Sequence, residues 1–325
     1  MKHLAAALVL CCATPAVAGV DEVIDTHILP GMDAFAEASA KLSDTAASDC
    51  TAEAVRPAYQ SAFDAWMGVS HLTIGPLEQG GRLLAIAFWP DAKGAGARTL
   101  GQMIATEDPA VDSPEAFADV SVAARGFFAL DRLLYEDPYE AGSYTCKLVQ
   151  AVAADLSRMA GEVDAEWHDS FAETLRTAGE PGNDRFLTRD EAVQALFTLL
   201  GTGLEVDHSQ RLGRPMGTFE RPRPERAEAR RSGRSLRNVV LSLQALRRMA
   251  DALADQPIPQ TDEAFANALD AADFDDPVFA GAADPMGRFK LEALQQAIDT
   301  ASRAVDGELG AQLGVTAGFN SLDGD

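Results

Sequence analysis

Apolar residues recur at helical spacing along most of this chain, and no segment alternates apolar and polar residues for long enough to make a strand. Leu236, Val239, Val240, Leu243, Leu246, Ala250 and Leu253 form one such stripe. Phe289, Leu294, Ile298, Ala301 and Val305 form a second, and Phe127, Leu130 and Leu134 a shorter third. A period near 3.6 buries one face of a helix and cannot bury one face of a strand, so the fold class is all-α. Segments from Val23 to Leu42, Glu53 to Val69 and Cys146 to Gly161 follow the same rule, with Pro30 expected to kink or divide the first. Thr188 and Glu191 form a capping box ahead of a helix expected to reach about Leu212. The turn cluster Gly179-Glu-Pro-Gly-Asn-Asp184 falls near the middle of the chain, which predicts two helical-bundle lobes, roughly residues 19–178 and 185–325.

The first 18 residues carry Lys2, an apolar run from Leu4 to Cys12 and the small-residue pattern Ala16-Val-Ala18, the plan of a signal peptide cleaved before Gly19. Lipid attachment at Cys11 or Cys12 is disfavoured by the large Leu10 in front of them. No later run is long enough for a membrane span. Export to the periplasm or beyond is therefore expected, and Cys50 and Cys146 are the only cysteines left after cleavage. In an oxidising compartment such a pair is expected to be a disulfide. The formal charge of -23 becomes one unit more negative without Lys2. That balance argues against nucleic acid and anionic membranes as partners, since both need a basic footprint.

Candidate chemistry is sparse. Four histidines remain after residue 18: His27, His71, His168 and His208. None lies in a His-Glu-x-x-His sequence, so zinc-peptidase chemistry of that kind has no support. One Glu-x-x-His pair, Glu205 with His208, offers two candidate metal ligands where a bundle metal site uses more. His71, at an expected helix end, is read as bonding the last carbonyls and interacting with the helix dipole. From Arg211 to Arg237 there are nine arginines, no lysine and only Glu220, Glu225 and Glu228. Arginine without lysine suits paired, two-pronged contacts with fixed carboxylates, and the partner is either a small anion or this chain's own Asp323 and Asp325. Asp131 lies at the edge of the Phe127 stripe, and an acid near a core face needs a partner, either Arg132 or an arginine of the Arg231–Arg237 segment.

Trp66 to Pro76, Phe88-Trp-Pro-Asp91, Gly126 to Leu134, Arg231 to Ser235 and the terminal Gly318-Phe-Asn-Ser-Leu-Asp-Gly-Asp325 together resemble the imelysin-like family of exported bacterial proteins. The resemblance covers nearly the whole chain after the leader. It implies a helical protein of two lobes with a functional site between them, in the periplasm or at the cell surface, and a link to iron uptake. The family's most cited motif is Gly-x-His-x-x-Glu. Here Gly126 matches, Phe128 stands at the histidine position and Asp131 at the glutamate position. Phenylalanine cannot ligate a metal, so Asp131 is read as the retained half of a degenerate motif. The resemblance places the interlobe site at Trp66, His71, Arg82, Trp89, Asp91, Gly126, Asp131, Arg132, Arg231, Ser232, Arg234, Asn320 and Asp323. Candidate metal ligands are Asp131, Glu205 and His208, for iron or another divalent ion, with no cofactor certain. Three functions compete: a periplasmic binding or accessory protein in metal acquisition, a structural or interaction protein that lost the site, and a hydrolase in line with the family's peptidase label.

Overall fold

The structure, a computed structural model, describes residues 19–315. Among these residues every regular element is a helix, and pairing of the extended kind is limited to the single bridge Thr218–Arg221. Nine helices of ten or more residues set the frame: α1 (Leu29–Ser48), α2 (Ala52–Val69), α3 (Ala95–Thr106), α4 (Gly126–Tyr135), α5 (Tyr144–Glu166), α6 (Arg189–Glu205), α7 (Ser235–Leu253), α8 (Pro259–Ala271) and α9 (Pro285–Ala304). Among the described residues, no helix is long and apolar enough to cross a membrane.

The first helical run changes its winding just before Pro30 and is not broken there. The chain winds through Val20–Val23 and a wide π turn, Ile24–Ile28, and α1 begins just before the proline. Proline within a helical run removes one ladder hydrogen bond, and the ladder shifts just before it, where Leu29 N–H bonds Ile24 O across the π turn. Beyond it, Met32, Phe35, Ser39, Leu42 and Ala46 recur on one face of α1 and are buried against α2 and α5. The disulfide Cys50–Cys146 ties the end of α1 to the first turn of α5 across a sequence separation of 96.

The capping box at the start of α6 is present. Glu191 N–H donates to Thr188 Oγ1 at 3.2 Å, and the Glu191 carboxylate accepts the Leu187 N–H. α6 then widens into a π turn at Val206–Leu212, and the helical run continues through Gly213–Met216, four residues past the limit read from the sequence. In α9 the expected stripe is shifted. Phe289 is 64% exposed, and the buried line runs Leu291, Leu294, Ile298 and Ala301 into Val305. Phe289 sits five residues before Leu294, which puts it on the far side of that line.

At the mid-chain turn Gly179 and Gly182 take φ values of 88° and 97°, and Asn183 Nδ2 ties the turn back to Thr174 O at 2.7 Å. The chain halves on either side meet directly, because α7 packs on α2 as well as on α6 and α8. Buried apolar residues from Val20 to Leu309 form one contiguous core.

Candidate functional site

α4 is placed by its first residue. Gly126 has φ +65°, and a Cβ there would stand 2.1 Å from the Ile86 carbonyl oxygen and 2.3 Å from that of Ala85. The preceding Arg125 is buried and makes a two-pronged ion pair with Asp155 of α5, at 2.8 and 3.0 Å. Clamped in this way, α4 sends Phe127 into the core, stacked on Phe63 with ring centroids 4.4 Å apart. Phe128 points the other way, stacked on Trp89 at 6.4 Å and edge-on to Phe63 at 5.7 Å. One turn later Asp131 is only 1% exposed.

Asp131 has partners from the far half of the chain. Ser232 donates to its Oδ1 twice, from N–H at 3.0 Å and from Oγ at 2.5 Å, while Arg231 Nη1 lies 3.6 Å from Oδ2. Burial pushes the carboxyl above the usual carboxylate range, and the bonds from Ser232 and the charge of Arg231 pull the other way. The neighbouring Arg132 turns instead to Glu136. Of the two partners the sequence allowed, the arginine segment is the one that meets Asp131.

Much of that segment neutralises this protein's own acids. Arg211 is buried between Asp207 at 2.6 Å and Glu228 at 2.8 Å. Arg234 is buried too, bonded to Asp64 at 2.7 Å and Gln60 Oε1 at 2.5 Å, with its guanidinium 4.5 Å from the Phe63 ring centroid. Arg237 also pairs with Asp64, and Arg231 reaches Glu136 at 3.3 Å. A cavity of about 310 Å³ opens beside Asp131, walled by Trp89, Phe128, Arg132, Arg214, Arg226 and Arg231 among others. Asp91 is also on its wall, but its two oxygens accept the Ala95 and Gly96 N–H groups at 2.8 and 2.9 Å and so fix the start of α3.

Of the residues assigned to the site from the sequence, the structure thus gathers Trp89, Asp91, Asp131, Arg132 and Arg231 around one cavity, with Ser232 bonded to its edge. Others lie elsewhere. Trp66, 3% exposed, is core packing against Phe35 and Phe127. Arg82 pairs with Glu166 at 2.6 Å and Glu162 at 3.4 Å. Gly126 and Arg234 act as backbone and core fixtures. Asn320 and Asp323 lie outside the described residues.

The metal set read from the sequence does not assemble. Glu205 and His208 both turn to Ser209, which donates to Glu205 and lies 3.1 Å from His208 Nδ1. Among the described residues, the one group of three or more acids, histidines or cysteines with ligand atoms within 4.8 Å of one another is Asp33, Asp164 and His168, on the outer face of α1 and the end of α5. His168 Nε2 stands 2.9 Å from Asp33 and 3.7 Å from Asp164, a set of donors of the kind that holds a divalent cation. At Asp131 the donors do not fit a metal ion. Phe128 offers none, one carboxylate oxygen takes two hydrogen bonds, and the other faces a guanidinium. Iron or zinc is therefore expected to leave the melting temperature equally unchanged, or equally raised, in wild type and Asp131→Asn. A metal-dependent rise confined to wild type would sink this assignment. The substitution itself should cost about 1–3 kcal/mol, since it removes a charged acceptor from a buried pair of donors.

His71 departs most from its expected role. It is buried, and its Nε2 lies 2.9 Å from Nε2 of His27, which the π turn at Ile24–Ile28 carries into the core. Burial holds His27 down to about 4, assisted by Arg248, and lowers His71 well below the usual range, assisted by His27, Arg211 and Arg248. A neutral pair of this kind cannot serve a helix dipole as a cation. Unfolded histidine binds a proton near pH 6.5 and the folded pair does not, so stability falls as the pH drops from about 6.5 toward 4. Asp207, raised to about 6 by burial, has the opposite sign and loses its contribution as the pH rises through that value. Comparison with His27→Gln isolates the histidine part: between about pH 7 and pH 4.5 wild type should lose roughly 2–3 kcal/mol more than the variant in urea unfolding. Parallel losses would refute the neutral pair.

Among the described residues the fold is all-helical, and Phe128 and Asp131 line a polar cavity. Residues 28–305 match the sequence model of the Imelysin family, and the chain belongs to that family. Among solved structures it is similar to an imelysin-like protein from Psychrobacter arcticum 273-4, with a TM-score of 0.78 and 18% identity over 92% of this chain and 96% of that one. An iron-regulated protein A precursor from Parabacteroides distasonis ATCC 8503 gives a TM-score of 0.71 and 12% identity over 90% and 94% of the two chains. No curated protein matches the sequence.

Proposed function

We propose that this chain is an exported binding or accessory protein of the imelysin type, acting in metal acquisition, and that its ligand occupies the cavity beside Asp131. The observation that carries this reading is convergence. The family motif positions Phe128 and Asp131, from before the Gly179–Asp184 turn, and Arg214, Arg226 and Arg231, from after it, wall the same cavity of about 310 Å³. Such a volume lies at the small end of ligand sites. Export is supported by the leader pattern and by a disulfide of a kind that persists in oxidising compartments. The metal role rests on the iron-regulated neighbour, and the donor chemistry at Asp131 favours a small molecule over a bare ion there.

A second reading, a structural protein that kept the fold and lost the site, draws support from Phe128 and from the saturated Asp131. Ala92, exposed on the cavity wall, separates the two through Ala92→Trp, which fills the space without touching the core. Native mass spectrometry of protein purified from the periplasm should show a small molecule retained by wild type and absent from Ala92→Trp, on a chain beginning at Gly19. Identical bare spectra, together with identical melting in a low-mass periplasmic extract, would favour the second reading.

A further inference from the structure

We infer that the cavity beside Asp131 recognises an oxyanion, a carboxylate- or phosphate-bearing small molecule, through Arg214 and Arg226. The inference rests on the cavity being the ligand site and adds the chemistry of what it takes.

The charges around the cavity do not balance. Each acid on its wall is already engaged. Asp131 accepts from Ser232, Asp91 caps α3, and Glu225 lies 3.8 Å from Arg223. Arg132 and Arg231 share Glu136. Among the described residues, no carboxylate lies within ion-pair distance of Arg214 or Arg226, in a chain whose formal charge is -23. With so many acids available, two unpaired guanidinium groups on one cavity call for a reason.

Arg214 is also incompletely bonded. Its Nε is enclosed by protein and has no hydrogen-bond partner, while its guanidinium carbon lies 5.8 Å from the centroid of the Trp89 ring. Burial and then the charge of Arg226 lower its proton affinity, so the two side chains are near enough to repel. A bound oxyanion removes that repulsion and supplies acceptors to both forks, and planar guanidinium groups match carboxylate and phosphate oxygens two at a time. Trp89 and Phe128, stacked within 18° of parallel, give the rest of the ligand a flat apolar wall.

Isothermal titration with inorganic phosphate and, separately, citrate tests the inference. Wild type is compared with Arg214→Gln, Arg226→Gln and Arg221→Gln, the last altering an exposed arginine of the same segment outside the cavity. Saturable binding of at least one of the two anions is expected, weakened at least tenfold by either cavity substitution and unchanged by Arg221→Gln. The trimethyl ester of citrate should not bind. Which anion binds tells phosphate from carboxylate chemistry. As a fold check, Arg226→Gln should melt no lower than wild type in anion-free buffer, since it relieves a repulsion; a clearly lower melting temperature would count against an unpaired guanidinium. Absence of saturable binding by both anions overturns the inference. If a neutral molecule from the periplasmic extract still binds wild type and not Ala92→Trp, the ligand site stands and its anion chemistry falls. Should Ala92→Trp bind the anion as tightly as wild type, the anion lies elsewhere and both readings fall together.

Discussion

The double substitution Cys50→Ala, Cys146→Ala is expected to lower the unfolding free energy by roughly 4–5 kcal/mol, the loop-closure entropy returned to the unfolded chain when a cross-link of this span is removed. The sequence separation of 96 is what makes the term large, because the entropy grows with the logarithm of the loop. Cys146 is fully buried at the start of α5, so the lost side-chain packing adds to the effect. Urea unfolding of oxidised wild type against the double variant measures it. Two alkylatable thiols in native protein made in the periplasm, or a stability difference below about 1 kcal/mol, would show that the bridge does not hold α1 to α5 in solution.

Gly126→Ala should be as damaging, and for a different reason. The added methyl would meet two backbone carbonyl oxygens at 2.1 and 2.3 Å, and neither can turn aside as a flexible side chain would. The φ of +65° adds roughly 1 kcal/mol or more for a residue with a Cβ. A loss above about 4 kcal/mol, or failure to accumulate as folded protein, is expected. Gly68→Ala, in α2 with nothing within 4 Å of the new methyl, is the control and should gain about 0.5–1 kcal/mol. Equal melting temperatures for the two variants would contradict this account. The expected contrast assigns the motif glycine to docking α4 on the Ala85–Ile86 backbone, which aims Phe128 and Asp131 at the cavity.

Signals that depend on neighbours in the chain were legible in the sequence. The helical period appears in every long element, the Thr188–Glu191 box starts α6, and Pro30 marks the start of α1, while Gly126, Phe128 and Asp131 were picked out only through the family resemblance. The cysteine pairing was legible too, since the leader accounts for the other two cysteines. What the sequence left open were partners. Asp131 finds Ser232, 101 residues away, and His71 finds His27, 44 residues away, because a π turn rotates one histidine inward. Nine arginines in one segment look alike on paper; burial sends Arg211 and Arg234 to internal acids and leaves Arg214 and Arg226, at a cavity, with no ion pair among the described residues. Helical periodicity is a local property, fixed by the 3.6-residue repeat of a backbone that every residue shares. Charge compensation is a property of distance in space, and only the packing of α2, α4 and the Arg211–Arg237 segment brings acids to some guanidinium groups and leaves others facing the open cavity.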